Sequence, residues 1–160
     1  MKLVVLKFGG TSVADVPQIK KIALKIKAEV KKDNKVIAVV SAMSGVTNNL
    51  IDQVKKTSEN FPYSEYDTVV SSGEQVTSAL LSIALEELSI KARSWLGWQV
   101  PIFTDDIYGK AVIKNIETEN ISKSLENGFV AIVSGFQGVS NNNRITTLGR
   151  GGSDTSAVAL

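Results

Sequence analysis

The sequence predicts an α/β domain on a mainly parallel sheet, and three observations carry that expectation. Short β-branched apolar runs alternate with segments of helical periodicity. The runs 3–8, 36–40 and 129–133 each end in a Gly/Ser-rich break, and no linker, repeat or low-complexity stretch divides the chain. With 160 residues, 43% hydrophobic and 21% charged, the chain is long enough for one real core and ordinary in composition for a globular protein.

Taken in order, Leu3 to Phe8 is apolar on both faces, which predicts a buried strand that breaks at Gly9 to Ser12. Ile19, Ile22, Ile26 and Val30 then recur at three- and four-residue spacing, while the lysines between Lys20 and Lys32 fall largely off that stripe. The basic run therefore reads as a solvated helix face rather than a nucleic-acid stripe. Val36 to Val40 is a second strand, followed by helical spacing from Val46 to Lys56, so the chain opens with a right-handed βαβ unit. Beyond a polar stretch holding Pro62, a long helix is expected from about Ser72 to Leu88, with Val76, Ala79, Leu80, Ile83 and Leu88 on one face. Strand-like pieces follow near 92–95 and 112–116, then a short helix near 118–127 and a buried strand over 129–133. The asparagine-rich segment from Gln137 to Thr147 reads as a hairpin or exposed loop, and a last helical pattern begins at Ser153. That pattern stops at Leu160 without a cap, which leads us to expect a sequence incomplete relative to its fold.

Composition removes several chemistries. There is no cysteine, hence no disulfide, thiolate metal site or cysteine nucleophile, and no histidine, the commonest general base and zinc ligand. No apolar run approaches the ~18 residues that span a bilayer, and Lys7 with two glycines interrupts the opening residues before a signal sequence forms. The expected setting is cytoplasmic, with no membrane partner. A net charge of +2 is too small to imply nucleic acid.

Parallel sheets bind ligands beyond the carboxyl ends of their strands, where every Gly/Ser-rich break here falls. Lys7 beside Gly9 and Gly10 sets a point cation and two unobstructed amides against one phosphate group, which points to phosphoryl transfer; a plain strand-to-helix turn stays equally open on spacing alone. Neither a Walker loop nor a GxGxxG fingerprint is present. Arg150, flanked by glycines, suits a bidentate grip on a carboxylate. Glu74 suits a substrate ammonium, but Ser71 with Glu74, and Ser72 with Gln75, also have capping-box spacing. Asp154 equally fits as a first-turn acid on a helix dipole, and Ser41, Thr47 and Ser153 fit as caps or ST-turns. A carboxylate acceptor, with a reference pKa near 4, is already ionised at pH 7, so phosphorylating it requires no histidine base.

Five segments, KFGGTSV (7–13), SAMSGVT (41–47), SGEQ (72–75), GFQG (135–138) and TLGRGGSD (147–154), occur in this order across essentially the whole chain. Together they resemble the aspartokinase family, a branch of the amino-acid kinases. The resemblance implies a three-layer αβα sandwich and transfer of the γ-phosphate of ATP, with Mg2+, to the β-carboxylate of L-aspartate. That reaction is the first step toward lysine, threonine, methionine and, in many bacteria, diaminopimelate.

Carried across by motif, Lys7, Gly9, Gly10 and Ser12 would meet the ATP phosphates, and Asp154 would organise the transfer site with Lys7. Ser41, Thr47, Glu74, Arg150 and Ser153 would hold aspartate, Glu74 near its ammonium and Arg150 on a carboxylate. The carboxylates present form no dedicated metal cage, so substrate phosphates would supply much of the magnesium coordination. By the same resemblance residues 1–160 are the N-terminal part of the kinase domain, without the C-terminal nucleotide-binding half and the ACT regulatory domains. Feedback inhibition is then expected to be absent, and apolar surface left bare by an unfinished sheet predicts self-association into a homo-oligomer. Two alternatives stay open: a binding or assembly piece without catalysis, and an amino-acid kinase acting on another carboxylate.

Overall fold

β1 (Leu3–Phe8), α1 (Val16–Val30) and β2 (Lys35–Val40) form the expected βαβ unit, with β1 and β2 parallel and in register from Leu3 opposite Lys35 to Phe8 opposite Val40. This is a computed structural model, and it describes residues 2–149 and 151–160. The chain continues through α2 (Val46–Thr57), α3 (Tyr63–Val70), α4 (Ser72–Glu87), β3 (Ala92–Trp95), β4 (Ile102–Thr104) and β5 (Ile113–Ile116). It ends with α5 (Glu119–Glu126), β6 (Val130–Ser134), β7 (Gln137–Val139), β8 (Ile145–Thr147) and α6 (Gly152–Ala159).

Four parallel strands in the order β1-β2-β6-β3 make the main sheet. Alternation along the strands sends Val36, Ala38, Val40, Val130 and Ile132 to one face, against Ile19, Ile22 and Ile26 of α1 and Leu81 and Leu85 of α4. Ile37, Val39, Ala131 and Val133 face the other way, against Ile121 and Leu125 of α5 and Ala157 of α6. Helices thus cover both faces, as a parallel sheet requires. Each fully buried side chain of this set contributes roughly 1.5–3 kcal/mol. A second, mixed sheet, β5-β4-β7-β8, lies beside the first, and its β7/β8 pair is the anticipated hairpin, from Gln137 opposite Thr147 to Val139 opposite Ile145.

Four details depart from the sequence-based expectation. β1 is an edge strand with one wet face: Leu3 is 56% and Val5 37% exposed, while Leu6 and Phe8 pack on the α1 side. The long helix buries a stripe rotated from the expected one: Leu80 and Leu88 pack against the core as expected, but the rest of that stripe does not. Val76 and Ile83 are exposed, whereas Gly73, Thr77, Ser78, Ser82, Leu81 and Leu85 face the core. Hydroxyls can occupy that face because they are satisfied locally: Thr77 donates to the Gly73 carbonyl at 3.1 Å and Ser82 to the Ser78 carbonyl at 2.9 Å. The polar stretch after Pro62 is helical as α3, and β4, only three residues long, had no periodic signal of its own.

Candidate active site

The breaks after β1, β2 and β6 come together because those strands are neighbours in the sheet. A Cβ on Gly10 would fall 3.1 Å from the Ala42 carbonyl, and one on Gly135 would fall 2.6 Å from Ser153 Cβ and 2.9 Å from the Val40 carbonyl. Glycine at these two positions lets the loops and the start of α6 touch. The result is a cleft of about 790 Å3 whose lining includes Gly10, Ser41, Thr47, Glu74 and Ser153, five of the residues singled out from sequence.

Two helix N-termini open on it. α2 and α6 both start from a left-handed glycine, Gly45 and Gly151, with no side-chain cap, so their positive dipole ends face the cleft uncapped. The first loop is different. The Ser12 and Val13 amides bond the Gly9 carbonyl, and α1 starts only at Val16, where the Asp15 carboxylate accepts from the Gln18 amide at 2.8 Å. No open helix end therefore follows Gly9 and Gly10, and Ser12 is exposed outside the cleft lining.

Glu74 is the most perturbed group in the cleft. It is 4% exposed, and its Oε1 accepts the Ala42 amide at 3.1 Å, while Oε2 has no hydrogen-bond partner among the described residues. Ser71 makes no side-chain cap to α4, so the capping-box reading of Glu74 fails; α3 and α4 follow almost without a break, and the carboxylate turns to the β2 loop instead. Burial pushes its pKa to about 7, against the lowering effect of the Ala42 amide.

Ser41, at the end of β2, shares a 2.7 Å hydrogen bond with Ser153 in the first turn of α6. Strand alternation places Lys7 on the α6 side of β1, where its Nζ lies 2.9 Å from Asp154 Oδ1 and beside Gly9, 3.3 Å from where a Cβ would sit. This pair lies beside the cleft lining, with the Lys7 side chain 29% and the Asp154 side chain 66% exposed. Arg150, expected to grip a carboxylate, lies outside the described residues.

Sequence reasoning missed Asp67, Gln137 and the aromatic wall of Phe61, Tyr63 and Tyr66, whose rings sit 5.6–5.7 Å apart at one side of the cleft. Gln137 is fully buried, donating to the Ser71 carbonyl at 3.0 Å and accepting the Gly97 amide, which ties the second sheet to the α3/α4 junction. Asp67 is equally buried. Its only sequence signal was a charge in a segment not read as structured. Among the described residues no group of three His, Cys, Asp or Glu side chains stands together as a metal-ligand set.

The Amino acid kinase family profile matches residues 2–160, and the chain belongs to that family. Curated relatives that it matches include aspartokinases of several bacteria. It is 52% identical to the aspartokinase of Rickettsia felis over the whole chain and 49% identical to that of Bacillus sp. strain MGA3, spanning 41% and 39% of their lengths. Among solved structures, aspartate kinase from Synechocystis superimposes with a TM-score of 0.81 at 41% identity, covering 98% of this chain and 26% of the other. E. coli aspartokinase III in complex with aspartate and ADP gives the same TM-score at 25% identity, with 95% and 44% covered.

Proposed function

We propose that this chain carries the aspartate side and first phosphate loop of an enzyme that transfers the γ-phosphate of ATP to the β-carboxylate of L-aspartate. One observation carries the reading best: a buried carboxylate, Glu74, keeps one oxygen without a partner among the described residues, at the wall of a cleft faced by two helix N-termini that carry no side-chain cap. That combination suits a ligand with an ammonium at one end and carboxylates at the other. Ser41, Thr47 and Ser153 supply hydroxyls around it, and Arg150, between its glycines, is assigned to a substrate carboxylate.

An oxygen of the ionised β-carboxylate attacks the γ-phosphorus, the bond from that phosphorus to the bridging oxygen breaks, and 4-phospho-L-aspartate and ADP result. No proton must be removed, which agrees with a chain without histidine. Positioning and charge neutralisation do the work: Lys7 meets the phosphates beside Gly9 and Gly10, and Asp154 orients Lys7. Ser12 is assigned to the rim of the same loop. Asp154 is a single carboxylate, so these residues do not form a magnesium cage, and magnesium, if used, arrives largely coordinated by nucleotide phosphates.

A binding-only piece is the second reading; the chain spans about 40% of the length of the curated relatives it matches. An ADP-release assay with ATP, Mg2+ and hydroxylamine, with and without L-aspartate, separates them. Aspartate-dependent acyl hydroxamate supports the kinase, and calorimetric aspartate binding without turnover supports the second reading. A preference for glutamate in the same assay overturns the substrate. Exposed Leu3, Val5, Val76 and Ile83 support self-association, and a concentration-independent monomer in light scattering would count against it.

A further inference from the structure

Asp67, in the middle of α3, is 0% exposed and forms no ion pair among the described residues. Burying a carboxylate without a cation is costly, and an apolar side chain would fill the space more favourably. The hydrogen bonds explain its presence. Oδ2 accepts the Thr147 amide at 2.9 Å, Oδ1 accepts the Thr147 hydroxyl at 2.7 Å, and the Gly109 amide lies 3.0 Å from both oxygens.

These donors belong to two loops of the cleft. Thr147 is the last residue of β8, immediately before the glycine loop that delivers Ser153 to Ser41. Gly109 lines the cleft itself, with φ +79°, against the Tyr63 ring. The loops also meet each other: the Ala111 amide donates to the Thr147 carbonyl at 2.8 Å, and Gly149 stands over Gly109 and Lys110. All three donors are N–H or O–H groups pointing at one side chain, so the site requires an acceptor-only group with two oxygens. Asparagine keeps the shape and turns an NH2 toward an amide.

We propose that Asp67 is the positioning residue of the acceptor side: it clamps the start of the glycine loop, and the loop at Gly109, onto the α3 wall, so setting where the N-terminus of α6 meets the substrate. The substrate part of this inference rests on the aspartate reading above; the clamp itself does not.

The test is hydrogen exchange on the full chain as parent, Asp67→Asn and Thr147→Val, together with calorimetry for aspartate and ADP. In Asp67→Asn the amides of Gly109, Thr147, Ala111 and Gly152, each hydrogen-bonded in or beside these loops, are expected to exchange about tenfold or more faster, while those of β2 and β6 keep their protection. Aspartate affinity should fall about tenfold with ADP affinity unchanged, as expected if the released loop holds the binding-competent position about a tenth of the time. Thr147→Val, which loses one of the bonds and keeps the amide, should shift the same amides by less, and decides the matter if Asp67→Asn does not fold. Unchanged loop exchange, or equal acceleration in β2 and β6, would overturn the clamp. A parent chain that binds no aspartate would instead sink the aspartate reading, with the exchange result still deciding the clamp.

Discussion

Glu74 and Lys7 stand at the same end of the main sheet, yet their surroundings differ in kind. Glu74 is 4% exposed, bonded to one backbone amide and pushed to a pKa of about 7. Lys7 is an exposed residue whose side chain keeps 29% of its surface in water, and the side chain of its partner Asp154 keeps 66%. On the proposed reading, the acceptor side is thus a cleft between α2, α3, α4, α6 and the loops of the second sheet with a dry carboxylate in its wall, and the phosphate side is a wetter edge on β1. In a dry site each charge is worth several times what it is in water, so the acceptor side is where single substitutions and pH act most strongly. The wet side offers a cation that solvent and salt partly screen.

The largest expected effect breaks the comparison at its dry end. Glu74→Gln should weaken aspartate binding by about 100-fold or more in calorimetry at pH 8, since the ammonium loses its charged partner in a desolvated site. The same variant should be more stable than the parent at pH 8. The folded pKa of Glu74 lies above its usual 4.5, so the stability of its protonated form is fully present below about 4.5 and is lost as pH rises through about 7. That loss is on the order of 3 kcal/mol. Urea titrations of both proteins at pH 4.5 and pH 8 check it, and parallel curves would show that Glu74 is not desolvated.

Gly135→Ala comes next, because its Cβ would sit 2.6 Å from Ser153 Cβ and 2.9 Å from the Val40 carbonyl, backbone that cannot swing aside. A loss of about 1–3 kcal/mol in urea unfolding is expected, with weaker aspartate binding as α6 moves outward. Full stability with native binding would mean that the approach of α6 to β2 is loose.

A smaller effect sharpens the comparison without mutation. Aspartate affinity of the parent should rise about tenfold from pH 6 to pH 8 as Glu74 loses its proton, while ADP affinity lacks this Glu74-linked step. A flat aspartate profile would remove Glu74 from the ammonium site.

The smallest belongs to the wet end. Lys7→Met should change stability by less than about 0.5 kcal/mol, because the ion pair it breaks is exposed, while weakening ADP binding in a salt-sensitive way. A large stability loss would mean that Lys7 is structural.

Local physics made part of this legible in advance. β2, β6 and α1 announced themselves because a strand buried on both faces is a continuous apolar run, and an amphipathic helix carries its own period. The glycine and serine breaks announced the cleft because strand ends in a parallel sheet share one edge. Glu74 was named with two roles open, since spacing cannot say whether a carboxylate turns back to its own helix or across to Ala42. Val76 and Ile83 misled for a related reason: hydroxyls that bond the preceding turn are as buriable as aliphatic groups, and periodicity counts only the latter.

By itself the sequence determined the α/β class, the order of the main elements, the cleft at the strand ends and five residues that line it, because these depend on pattern and on backbone rules that act over a few residues. Only the tertiary structure decided that α3 exists as a wall, that Asp67 reaches Thr147 across 80 positions, and that Glu74 is dry enough to hold a proton near neutrality. Desolvation and long-range hydrogen bonding depend on which surfaces meet, and no local pattern encodes that.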